Sequence, residues 1–118
     1  MNVMLIDDDR ECLESLGTAL RLNGFDVQGF DSPDQAINQY NPQTVDVVIT
    51  DYHLPGIKGT EILKQIRRAK TDARVIIISG DPKKDIKKLA LQAGACAFFR
   101  KPLNVKRMIT KMKTLIAD

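Results

Sequence analysis

The chain is punctuated by five short apolar runs: VMLI (3–6), FDVQGF (25–30), VDVVIT (45–50), ARVIIIS (73–79) and ACAFF (95–99). The second alternates apolar and polar residues, as a half-buried strand does. The third and fourth are nearly continuous, as strands covered on both faces are. Between them the spacing turns helical. Leu13, Leu16 and Leu20 line one face of a segment from Asp9 to Asn23, with Cys12 and Ala19 beside them and Gly24 as its stop. Ser32-Pro33-Asp34-Gln35 is a helix start, with a Ser cap, Pro at the first helical position and Gln three residues after the cap, and its helix runs to about Tyr40. Ile62, Leu63 and Ile66 place a helix over 59–69. Asp81-Pro82 is expected to cap a fourth helix with Ile86, Leu89, Ala90 and Ala93 inward. Asn104 is expected to cap a fifth, with Met108, Ile109, Met112, Leu115 and Ile116 inward. YHLPGIKG (52–59) reads as a loop turning at Pro-Gly.

Strands and helices thus alternate five times. That order implies a doubly wound α/β domain, a parallel five-stranded sheet with helices on both faces in a three-layer sandwich. A length of 118 residues suits one domain, and 43% hydrophobic residues supply a core. No apolar run approaches the roughly 20 residues that span a bilayer, and Asp7, Asp8 and Asp9 interrupt any signal-peptide pattern, so a cytoplasmic location is expected. Cys12 and Cys96 read as small, reduced, buried hydrophobes, and His53 is the only histidine, which excludes a Cys/His metal cluster. The net charge of +3 hides an asymmetry. Residues 1–80 hold eight Lys and Arg against twelve Asp and Glu, whereas residues 81–118 hold ten against three. An acidic site in one region and a basic surface in another follow from this split.

The candidate chemistry lies just after the strands. Asp7, Asp8 and Asp9 follow the first, Asp51 the third, Ser79 and Gly80 end the fourth, and Arg100, Lys101 and Pro102 follow the fifth. Ligands of open α/β sheets bind at that carboxyl edge. Three carboxylates, a hydroxyl and an ammonium are therefore expected to converge there. Clustered carboxylates without His or Cys select a hard cation such as Mg²⁺. An Asp carboxylate can also act as a nucleophile toward phosphorus, with Lys and a cation neutralising the phosphoryl oxygens.

MLIDDD, VITDYHLPGIKGTEIL, VIIISG and AGACAFFRKPL, in that order and at those spacings, resemble the four signature blocks of response-regulator receiver domains (CheY-like) over the whole chain, 1–118. The resemblance implies a flavodoxin-like fold of strand order 2-1-3-4-5. It implies that Asp51 is the phospho-acceptor, with Asp7, Asp8, Asp51 and the His53 carbonyl around Mg²⁺. Lys101 would pair with the phosphoryl group and Ser79 would move to meet it. Phe98 matches the aromatic switch, and His53 and Asp81 match positions that tune the lifetime of the phosphorylated state. Gly80 matches a small residue that leaves the group accessible, Pro102 a proline often preceded by a cis bond. Asp9 stands where the family often has Glu and reads as a helix cap and rim charge.

The implied partners are a sensor histidine kinase or a histidine phosphotransfer protein. An unidentified output partner would bind the face of the fourth helix, fifth strand and fifth helix, and a phosphorylation-dependent homodimer is allowed. No membrane contact and no direct nucleic-acid binding are expected, since the basic C-terminal third lacks a helix-turn-helix or aromatic platform. The domain is expected to assist its own phosphorylation without being an enzyme on another substrate. Two other classes compete: an interaction module of the same fold that is never phosphorylated, and a haloacid-dehalogenase-type phosphatase. Asp7 and Asp9 supply the latter's D-x-D, but Glu11 stands at its Thr/Val position, and it has no need of Asp51 or Lys101-Pro102.

Overall fold

A computed structural model describes residues 1–117. The chain runs β1 (Asn2–Ile6), α1 (Arg10–Leu22), β2 (Asp26–Phe30), α2 (Pro33–Gln39), β3 (Val47–Asp51), β4 (His53–Leu54), β5 (Ile57–Lys58), α3 (Gly59–Ala69), β6 (Val75–Ser79), α4 (Lys84–Gln92), β7 (Ala97–Arg100) and α5 (Val105–Ile116). Five strands form one sheet in the order β2-β1-β3-β6-β7, and every neighbouring pair is parallel. Leaving aside the small hairpin β4–β5, this is the expected 2-1-3-4-5 order. The order reverses between β1 and β3, so the mouth opens above those two strands.

Alternation along the strands divides the core in two. Met4, Ile6, Val48, Val75 and Ile77 face α2, α3 and α4 through Ala36, Ile62, Leu63, Ile66, Ile86 and Ala90. Val3, Leu5, Val47, Ile49, Ile76 and Ile78 face α1 and α5 through Leu16, Leu20, Met108, Ile109 and Met112. β3 and β6 are buried along their whole length, which accounts for their continuous apolar runs. β2 lies at the edge and is half-buried only at Val27 and Phe30.

Several local expectations change. The stretch 52–59 is not only loop: His53 and Leu54 pair antiparallel with Lys58 and Ile57, across a turn where Gly56 takes φ 77°. Asp81 is not the cap of α4. That helix begins at Lys84, its cap position is Lys83, and no side chain caps it. The Asp81 Oδ1 instead accepts from Lys83 N–H at 2.9 Å and closes the preceding turn. Leu89 points outward, 42% exposed, because the inward stripe of this short helix is only Ile86 and Ala90. Ala93 is half-buried, as are Leu115 and Ile116 at the end of α5. Cys12 and Cys96 are free thiols, each half-buried, not fully buried. Asp9, Ser32 and Asn104 do cap their helices.

Candidate functional site

β1 and β3 end side by side at the switch point, each handing on to a buried acid: Asp7 is fully buried and Asp51 is 6% exposed. Each carboxylate divides its labour. Asp7 Oδ1 accepts from Asp9 N–H at 3.0 Å and Asp51 Oδ1 from His53 N–H at 2.9 Å, so one oxygen shapes the turn that follows. The other oxygen faces Lys101. The Lys101 ammonium donates to Asp7 Oδ2 at 2.9 Å and to Asp51 Oδ2 at 2.6 Å. Lys101 reaches this point from the far edge of the sheet because β7 pairs with β6 and Lys101 N–H bonds the Ser79 carbonyl at 2.9 Å. The Lys101-Pro102 peptide is cis.

The electrostatics follow from burial. Two buried carboxylates share one ammonium, so the cluster keeps a net charge of about −1 out of water. Burial pushes the Asp51 pKa above its ordinary 3.8, while bonds from Lys101 and the His53 amide pull against the rise. Burial alone would depress Lys101, but its bonds to Asp51 and Asp7 outweigh that and raise its pKa above 10.5. Cys12 lies beside Asp7, and burial together with that carboxylate pushes its thiol up to about 12, so it is a poor nucleophile.

The structure brings together Asp7, Asp51 and Lys101, with Ser79 buried at the end of β6. Asp8 follows in the bend after β1 and is exposed. Among the described residues no three acidic, His or Cys side chains are grouped as a ready metal cage. Asp9 caps α1, accepting from Glu11 N–H at 3.1 Å and Cys12 N–H at 3.3 Å. Ser79 Oγ accepts from Asp81 N–H at 3.0 Å. A Cβ on Gly80 would meet only the Lys101 stem, at 3.7 Å. The Phe98 ring is half-buried, with the Arg100 guanidinium 5.4 Å from its centroid.

The rim residues are more engaged than their sequence suggests. His53 Nε2 lies 2.8 Å from Asp81 Oδ2 and Nδ1 lies 3.2 Å from Lys58 Nζ. An ammonium can only donate, so Nδ1 accepts and Nε2–H donates to Asp81. The bonds from Lys83 N–H and then His53 hold the Asp81 pKa below 3.8. Lys58 and Gly59 are site neighbours that sequence reasoning did not single out, and Arg100, placed at the carboxyl edge with Lys101, was given no role. The signal for Lys58 was the turn at Pro-Gly, which sets it opposite His53 once the hairpin is recognised. For Gly59 it was a glycine opening a helix. Its amide bonds the Tyr52 carbonyl at 2.7 Å, and a Cβ there would fall 2.5 Å from the Asp51 carbonyl.

An open parallel sheet with an acid pair and a lysine at its switch point defines a narrow class of α/β domain. The profile of the response regulator receiver domain matches residues 3–113, and the chain belongs to that family, as a receiver domain of two-component response regulators. Among solved structures it is similar to a response regulator receiver domain protein from Clostridium thermocellum, with TM-score 0.92, 28% identity, and 98% of this chain and 94% of that one covered. A putative response regulator from Chloroflexus aurantiacus gives TM-score 0.91 at 25% identity, covering 99% and 98%. Among curated relatives, a cyclic di-GMP phosphodiesterase of Thermotoga maritima is 30% identical over 112 residues, which are 95% of this chain and 30% of that protein. The cell cycle transcriptional regulator CtrA of Caulobacter vibrioides is 27% identical over 116 residues, 98% and 50% of the two lengths. The chain thus spans half or less of these relatives. Among the described residues no helix is long and apolar enough to cross a membrane.

Proposed function

We propose that Asp51 accepts a phosphoryl group from a phosphohistidine of a sensor histidine kinase or a histidine phosphotransfer protein. The carrying observation is the Lys101 ammonium held between Asp7 and Asp51 at the switch point. An Asp51 oxygen attacks phosphorus, the P–N bond to the donor imidazole breaks, and the imidazole nitrogen keeps that electron pair. Later a water oxygen attacks the same phosphorus, the P–O bond to Asp51 breaks, and phosphate leaves with the carboxylate restored.

Lys101 stands where the charge of the transferred oxygens develops, and its raised pKa keeps it charged throughout. Two buried carboxylates against one ammonium, all hard oxygens, suit Mg²⁺. Asp7, Asp51, the neighbouring Asp8 and the His53 carbonyl would hold it, and when bound it would neutralise phosphoryl oxygens. Ser79 and Phe98 would carry the change to α4, β7 and α5. His53 and Asp81 flank the mouth and would set how long the group survives. The face of α4 and α5 exposes Lys84, Lys87, Lys88, Lys106, Arg107 and Lys111, which suits an acidic partner whose association weakens as salt screens it.

The test is acetyl phosphate with Mg²⁺, followed by intact mass. One phosphoryl group should be added, and none to Asp51→Asn. Phosphorylation that persists in that variant would move the nucleophile elsewhere, and none on the unaltered protein would remove the reading.

A further inference from the structure

Arg100 is an exposed arginine at the end of the last strand, and both terminal nitrogens of its side chain are engaged. One Nη donates to the Asp81 carbonyl and the other to the Lys83 carbonyl at 3.1 Å. The guanidinium plane also sits over Phe98, 5.4 Å from the ring centroid. This is a peculiar place for a cation. Lys83 is the cap position of α4, which has no side-chain cap, and helix N-termini favour anions, not cations. The loop 80–83 is therefore held by partners outside its own helix. These are the Asp81 amide on Ser79 Oγ at 3.0 Å, Asp81 on His53 at 2.8 Å, and the Arg100 fork.

We propose that Arg100 is a positioning residue that locks Ser79 and Phe98 into their resting arrangement together, and that must let go when Asp51 is modified. The inference rests on the reading of Asp51 as phospho-acceptor. If Ser79 moves toward a group on Asp51, the amide it holds carries the 80–83 loop with it and pulls two carbonyls from the guanidinium. If Phe98 turns inward, the ring leaves the same guanidinium. Neither motion leaves Arg100 satisfied alone, so the two are coupled through one side chain. The coupling favours the unmodified state, because the three contacts are present in it.

The sign of the effect separates this role from simple charge. Arg100 is a cation near an anion site, so its removal on electrostatics alone should weaken binding of an anionic phosphoryl mimic. Removal of a lock should strengthen it. The experiment measures half-saturation by beryllofluoride in the presence of Mg²⁺, together with the ring-proton shifts of Phe98, for the unaltered protein, Arg100→Ala and Arg100→Lys. The expected result is saturation of Arg100→Ala at about tenfold lower beryllofluoride, the scale of a lost cation–π contact and a lost forked hydrogen bond. In the free variant, Phe98 shifts should already lie part-way toward the bound positions. Arg100→Lys keeps the charge without the fork and should behave like Arg100→Ala. Equal or weaker binding by Arg100→Ala, with Phe98 unmoved, overturns the lock while leaving the acceptor reading intact. Failure of the unaltered protein to bind beryllofluoride overturns the acceptor reading itself.

Discussion

Replacing Lys101 by alanine removes the cation that, among the described residues, faces two buried carboxylates. The ammonium lies 2.9 Å from Asp7 Oδ2 and 2.6 Å from Asp51 Oδ2. At an effective dielectric of about 20, each contact has a gross Coulomb value of about 6 kcal/mol. Most of that is offset by the desolvation of all three groups. What Lys101→Ala exposes is the remainder, the cost of leaving buried charge uncompensated, about 3 kcal/mol. In urea the midpoint should fall by about 2 M, and in a thermal scan by about 10 °C. The effect depends on pH with a definite sign. The Lys101 pKa is raised above 10.5, so its contribution is fully present below that value and is lost only as pH rises through the raised one. Titrating between pH 5 and 8 therefore leaves the wild-type ammonium intact. In the variant, the carboxyl that burial already lifts above 3.8 loses its main counter-ion and rises further. The native variant then binds more protons than its unfolded state across the window above 3.8, so it recovers stability on acidification. The deficit should be largest at pH 8 and shrink by pH 5. Mg²⁺ at millimolar concentration should restore part of it. A variant within about 0.5 kcal/mol of wild type at pH 8, or a deficit that widens as pH falls, would refute the picture of one ammonium holding two buried carboxylates.

Two further outcomes are expected. Saturating Mg²⁺ at about ten times its dissociation constant should stabilise the protein by about 1.4 kcal/mol. Chelation should remove the gain, and it should fade as pH falls through the raised Asp51 pKa, since the ligands must be ionised; a gain that Asp51→Asn retains would place the cation elsewhere. Gly59→Ala, which in an ordinary helix would stabilise by about 1 kcal/mol, should here destabilise by about 1–3 kcal/mol and slow phosphorylation by acetyl phosphate, because the new Cβ meets the Asp51 carbonyl; a rise in thermal midpoint would contradict the close approach.

Much of this was legible in the sequence because the fold repeats one signal. Continuous apolar runs such as VIIIS can only be covered on both faces, and the residue after each such run must lie at the carboxyl edge. That logic found Asp7, Asp51, Ser79 and Lys101 before any geometry was known. Asp8, named with them, is exposed in the bend after β1, a difference in burial from Asp7 that adjacency in sequence does not reveal. Asp81-Pro82 carried the composition of a helix cap, yet Asp81 is drawn into a turn by the Lys83 amide and His53, partners whose positions only the folded loop defines. Leu89 followed the periodicity of a longer helix than the nine residues of α4. The role of Arg100 had no sequence signature, since a fork on two carbonyls and a ring depends on where three backbones happen to pass.

The ion pairs of the site join residues 94 and 50 positions apart along the chain. Contacts of such long sequence separation cost more loop-closure entropy than local ones and slow folding. Asp7 and Asp51 are set by β1 and β3, two strands that β7 does not pair with. Docking of β7 against β6 delivers Lys101 to them. The ammonium that makes the acid pair tolerable is thus supplied by the segment after the last strand. The acid pair and its counter-ion therefore depend on both halves of the sheet at once: truncating β7 would remove the cation and leave two buried carboxylates facing each other.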